Sequence, residues 1–176
     1  RELGMDVSLK PHVDVLGGAY RGFMEPGDPD EWFRSYREFM IPLAEMAQRT
    51  SCRVFWVGTE LDSMTPWPNH WAELIEEIRR VYDGPLIYGA NWTDLDNEAT
   101  LALARRVDYL GVDAYFPVSD SPDPTVTDMV VAWQPWLRAM EEVSSVTGRP
   151  LLITELGCPS RQGAPTAPWD YENGHP

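Results

Sequence analysis

Two glutamates, Glu60 and Glu155, each follow directly on a short run of β-branched and aromatic residues. Carboxyls carried at the ends of two different strands suit the cleavage of a glycosidic bond. One protonates the leaving oxygen while the other attacks the anomeric carbon or activates a water. A lone loop glutamate is ordinarily a solvated carboxylate, but two of them placed directly after strands weaken that bland reading. Other polar and aromatic residues recur at the same kind of position: His12 and Asp14, Thr59 beside Glu60, Asn91 and Trp92, Asp113 and Tyr115. Sugars require hydrogen-bonding groups together with flat stacking faces, and this set offers both. Each residue also has a plainer reading. His12 and Asp14 could be a metal pair, although no second histidine-bearing strand completes a site. Asn91 could mark a turn with Trp92 in the core, and Tyr115 could pack under a helix. Arg21, Trp67 and Trp169 fall in loops, where they could line outer sugar subsites or cap the fold, while His70 reads as a helix-start residue.

The elements that must position these groups are legible from periodicity. Residues 7–13, 53–57, 86–90, 109–114 and 151–154 read as strands. Between them lie helical patterns. In 31–48, Trp32, Phe33, Tyr36, Phe39, Met40, Leu43 and Ala47 form one stripe, and a second places Trp71, Leu74, Ile75, Ile78 and Val81 inward. Further helices are expected over 98–105 and 128–146. Strict alternation of strand and helix implies parallel strands joined by right-handed crossovers. That pattern fits a (β/α)8 TIM barrel, whose chemistry is built at the C-terminal strand ends, with about five of the eight βα units present. No linker or repeat divides residues 1–176, so one partial catalytic domain is expected; the Pro- and Gly-rich stretch 159–176 reads as an active-site loop or a cut end.

Composition narrows the classes. With 43% hydrophobic and 11% aromatic residues the chain is globular in type rather than disordered or fibrous. Its apolar runs are strand-length, too short to span a membrane. Fourteen basic against twenty-eight acidic residues give a net charge of −14, which repels phosphate backbones and anionic lipid surfaces alike. Neither nucleic acid nor membrane is expected as a partner, and no cofactor or metal is implied. Cys52 and Cys158 match no zinc spacing and are expected as free thiols, one at the bottom of the sheet and one at the top. Arg1-Glu2-Leu3-Gly4 reads as the end of a helix running into a strand, so the start looks cut and carries no address for localisation.

Several segments together resemble a known family: Lys10-Pro11-His12-Val13-Asp14, Val57-Gly58-Thr59-Glu60-Leu61, Gly89-Ala90-Asn91-Trp92, Gly111-Val112-Asp113-Ala114-Tyr115-Phe116-Pro117, Thr154-Glu155-Leu156-Gly157 and Pro168-Trp169-Asp170. In this order and spacing they resemble glycoside hydrolase family 113, β-mannanases of a large clan of retaining (β/α)8 barrels. The resemblance implies that the segment at 7–13 is barrel strand three and that Glu60 and Glu155 follow strands four and seven, with strands one, two and eight absent. It implies Glu60 as general acid/base and Glu155 as nucleophile, with Tyr115 orienting the nucleophile. By the resemblance His12, Asp14, Asn91 and Trp92 would contact the sugar nearest the bond being cut; Asp113, Tyr115 and Trp169 are expected as further contacts to an oligo- or polysaccharide substrate. This clan commonly places Asn immediately before the acid/base; here that residue is Thr59, and Asn91 is the candidate to replace it. A glycosidase-like barrel that binds glycan or plays a structural part without catalysis is the alternative reading, and a metal-dependent hydrolase using His12 and Asp14 is a third.

Overall fold

Parallel strands need long returns, and the sequence supplies them as amphipathic helices. The computed structural model describes residues 4–171. Among these, β1 Ser8–Leu9, β2 Val54–Thr59, β3 Leu86–Asn91, β4 Tyr109–Asp113 and β5 Leu151–Glu155 alternate with α1 Pro29–Thr50, α2 Pro68–Val81, α3 Glu98–Ala104 and α4 Val126–Thr147. Spatial order follows chain order, β1-β2-β3-β4-β5, and every neighbouring pair is parallel. All five C-terminal strand ends therefore share one rim. The architecture is an incomplete (β/α) barrel. The reading of residues 1–3 as a helix end lies outside the described residues.

Local chemistry explains where the elements start and stop. Helix α1 begins because the Asp28 side chain accepts from the Asp30 and Glu31 amides, with Pro29 preset for the first turn. It buries Phe33, Tyr36, Met40, Ala44 and Ala47, each large side chain contributing roughly 1.5–3 kcal/mol. Helix α2 buries Trp71, Leu74, Ile75 and Ile78 on a similar stripe. Helix α4 opens with a reciprocal capping box between Thr125 and Asp128 and ends at Gly148, whose φ of +68° suits glycine.

Strand β1 is shorter than the sequence predicts. It pairs only at Ser8 with Val54 and Leu9 with Phe55, and Pro11, which has no N–H to donate, stands where the ladder would continue. Strand β2 instead runs two residues further than expected, to Thr59, with a register irregularity between Trp56 and Gly58. Residues 156–171 fold back over the rim as a loop. Gly163 donates to Pro122 O at 3.1 Å and Val118 to Pro165 O at 2.9 Å, and Arg161 pairs with Asp170 at 3.1 Å. Cys52 is half-buried, Cys158 is exposed, and both are free thiols. No helix among the described residues is long and apolar enough to cross a membrane.

Candidate active site

Glu60 is set by its backbone. Its φ is +51°, a left-handed conformation unusual for a residue with a Cβ. Such a residue persists only where its surroundings fix it. Here its amide extends the ladder to Gly89 O at 2.8 Å, the Leu61 amide donates to the Tyr88 hydroxyl at 3.2 Å, and Trp71 Nε1 donates to Met64 O at 2.8 Å. The side chain turns into the rim with 14% of its surface exposed. Burial, then the charge of Asp113, pushes its carboxyl up to about 7; Arg21, with Nη1 at 3.4 Å, pulls the other way. Glu60 thus holds a proton well above the ordinary carboxyl range.

Glu155 has the opposite environment. Burial alone would push its carboxyl up, but the Lys10 ammonium, 2.5 Å from Oε1, and the Tyr115 hydroxyl, donating to Oε2 at 2.9 Å, hold it below its usual value. Lys10 reaches it from the end of β1 and also lies 3.1 and 3.2 Å from the two oxygens of Asp113. Asp113 is fully buried and accepts further from Thr59 Oγ1 at 2.9 Å and Thr154 Oγ1 at 2.6 Å. Two glycines make room for this cluster. A Cβ at Gly89 would stand 2.7 Å from Thr59 Oγ1, and one at Gly111 would stand 2.8 Å from the Thr154 methyl.

Glu60 and Glu155 line one cleft of about 670 Å3, together with His12, Tyr20, Arg21, Asn91, Trp92, Tyr115, Trp169 and Tyr171. Trp92 meets Trp169 at 5.1 Å between ring centroids and stands edge-on to Phe116 and Trp136, so its ring is braced from behind. The arrangement joins one proton-holding carboxyl, one ionised carboxyl and flat aromatic walls.

The model of Glycoside Hydrolase Family 113 matches residues 1–176. The chain belongs to this family. No curated protein matches it. Among solved structures, this family 113 chain is similar to the GH113 β-mannanase AaManA from Alicyclobacillus acidocaldarius in complex with ManMIm, with 31% identity and a TM-score of 0.85 over 99% of this chain and 53% of that one. Two structures of GH113 β-1,4-mannanase align at 28% and 30% identity with TM-scores of 0.77 and 0.81, each over 97% of this chain and 53% of the other. The chain spans about half the length of these structures.

In this family 113 chain the residues singled out from sequence divide into three groups. His12, Asn91, Trp92, Tyr115 and Trp169 stand with both glutamates in the cleft. Asp14 does not; it is largely exposed, pairs with Arg21 Nη2 at 2.7 Å and borders a neighbouring hollow. Asp113 lies beneath the cleft with no exposed surface, where it anchors Lys10 rather than facing a ligand. Thr59 likewise turns away to Asp113. His12 Nδ1 lies 3.0 Å from Arg21 Nη1, and burial, then Arg21, lowers its pKa, favouring the neutral ring. Trp67 packs near His70, which stands in the first turn of α2, stacked on Phe33 and 3.0 Å from Asp30. Among the described residues no three His, Cys, Asp or Glu side chains are gathered as a metal site. Sequence reasoning assigned no role to Lys10, Tyr20 or Asp62. For Lys10 the signal was its place alone, directly after the β-type run and two residues before His12; β1 ends at Leu9, so no strand alternation runs on through residues 10–14.

Proposed function

We propose that the protein is a retaining glycoside hydrolase that cleaves β-linked glycans, β-1,4-mannan or a close relative, by double displacement. The observation that carries this reading is the opposed environments of the two carboxyls, Glu60 pushed up to about 7 and Glu155 held low by Lys10 and Tyr115. Pairs of carboxyls whose surroundings drive their proton affinities apart divide the acid and nucleophile roles. Glu155 attacks the anomeric carbon as Glu60 gives its proton to the departing glycosidic oxygen, leaving a covalent glycosyl-enzyme. Glu60, now ionised, takes a proton from water, whose oxygen displaces Glu155 and restores both carboxyls. Trp92 and Trp169 offer stacking faces to the sugar rings. With Thr59 turned to Asp113, Asn91 supplies the amide for the hydroxyl beside the reacting carbon.

Family membership supports glycosidase chemistry, and the similarity to β-mannanases supports a mannan-type substrate. The test is NMR of the first sugar released by the full-length protein. Retained β configuration is expected. An α product would remove Glu155 from the nucleophile role. Loss of turnover in Glu155→Ala, with Glu60→Ala still forming the intermediate from substrates whose leaving group needs no proton, completes the assignment. A full-length protein that binds β-glycans but cleaves none would favour the glycan-binding alternative.

A further inference from the structure

Behind the cleft wall that carries Glu60 lies a carboxylate that the proposed reaction does not use. Asp62 opens the 3-10 turn Asp62–Met64. The Tyr20 hydroxyl donates to its Oδ2 at 3.1 Å, and Asn91 Nδ2 donates in turn to the Tyr20 oxygen. The three form a directed relay, amide to phenol to carboxylate, that requires an acceptor at its end. Tyr20 and Asn91 line the cleft, whereas Asp62 does not. The loop from β1 crosses this pair so closely that a Cβ at Gly22 would stand 2.7 Å from Asp62 Oδ2. Asp62 Oδ1 is buried without a hydrogen bond, so Tyr20 first, and the Asn91 amide after it, are the groups that restrain the carboxylate.

We propose that Asp62 is a positioning residue: from behind the wall its carboxylate fixes the Tyr20 hydroxyl, and through it the Asn91 amide, in the face of the cleft that Glu60 occupies. The proposal deepens the glycosidase reading and rests on it for the part played by substrate. The groups around Asp62 are Tyr20 from the loop after β1, Glu60 on its own loop, Tyr88 of β3, Asp94 in the turn after β3 and Asp113 of β4. Burial first, then Asp94, pushes the Asp62 carboxyl up to about 6. Arg21, the cation at this wall, is engaged with Asp14 and Glu60. As pH falls through about 6 the acceptor takes a proton, and the hold on Tyr20 and Asn91 slackens.

The test uses the full-length protein and its Asp62→Asn and Tyr20→Phe variants. The first readout needs no turnover: the Asn91 side-chain amide, followed by 1H–15N NMR from pH 4.5 to 8. In the unaltered protein it should titrate with a midpoint near 6; in Asp62→Asn that step should vanish, and in Tyr20→Phe it should shrink. A flat amide in the unaltered protein, or an unchanged step in both variants, overturns the proposal whatever the activity. The second readout is KM and kcat on a soluble β-1,4-manno-oligosaccharide. Above pH 7 each variant should raise KM roughly five- to tenfold, the worth of one hydrogen bond, with kcat changed less. The gap should close below pH 6. A residue that only supports the fold would lower the amount of active enzyme and leave the pH dependence of KM intact, which also overturns the proposal. Should Asp62→Asn fail to fold, Tyr20→Phe, which keeps the ring, carries both measurements. An amide that titrates as expected in a protein that neither binds nor cleaves glycan keeps the positioning relay and sinks the glycosidase reading alone.

Discussion

Lys10 joins the two acidic groups at the back of the cleft, the buried Asp113 and the half-buried Glu155. Removing it as Lys10→Met leaves Glu155 with burial and without its cation, so its carboxyl rises. In the proposed mechanism the Glu155 nucleophile must be ionised, and the acid limb of the kcat/KM profile should therefore move to higher pH. At pH 5 the loss should be on the order of 100-fold, as when a preorganised electrostatic partner is deleted. An acid limb that stays in place would remove Lys10 from the control of Glu155. Glu60 predicts a different effect. Its folded-state value, about 7, lies above its ordinary one, so the folded protein binds that proton the more tightly. The resulting stability is fully present below the ordinary carboxyl range and is lost as pH rises through about 7. Glu60→Gln should then be the more stable protein at pH 8, by on the order of 1–2 kcal/mol after allowing for solvent screening, with the gap shrinking toward pH 5. Thermal melts at the two pH values decide it. Under the proposed mechanism, function and stability pull against each other at this residue.

Among the elements, β3 and β4 do the most to build the site, and they do so by what they lack. Glycine at 89 and 111 leaves the space that Thr59, Thr154 and Asp113 fill. Gly89→Ala should push Thr59 off Asp113 and cost about 1–3 kcal/mol. Urea unfolding should show a lower midpoint with an unchanged slope; an unchanged midpoint would mean that Thr59 yields freely. Much of this level was legible beforehand. Strand–helix alternation, the buried stripes of α1 and α2 apart from Phe39, which lies on the stripe's edge and is exposed, and the location of both glutamates at strand ends all follow from local periodicity. The length of β1 did not, because the loss of one donor at Pro11 outweighs the β-type composition around it. The partition of polar residues at strand ends was legible only in part. Asp113 has the type and position of a ligand contact, yet strand alternation and the reach of Lys10 carry it beneath the cleft. Tyr20, Arg21 and Asp62 sit in irregular segments, where no period announces which way a side chain turns.

At the scale of the molecule, the arc has a covered middle and two bare margins. β3 is buried along nearly its whole length, whereas on β5 Leu152 and Ile153 are 40% and 50% exposed, and Met5 and Val7 stand open near β1. Single exposed apolar residues are ordinary; here they line both edges of one sheet. Each strand also pairs with the strand next to it in the chain, so contacts pass from unit to unit. Backbone amide exchange of these 176 residues on their own should record this as a gradient. Opening from an edge breaks one set of ladder bonds, and opening at β3 breaks two. Amides of β3 should be the slowest to exchange, and those of β1 and β5 the fastest of the strands, by roughly tenfold or more in rate. Uniform protection across all five strands would show that the sheet opens only as a whole. Glu60 and Asn91 ride on the slow interior, while Lys10 and Glu155, which face each other across the site, ride on the two margins. Fraying from either side therefore separates the lysine from its carboxylate first, and the Glu155 carboxyl loses its cation while most of the sheet is still closed.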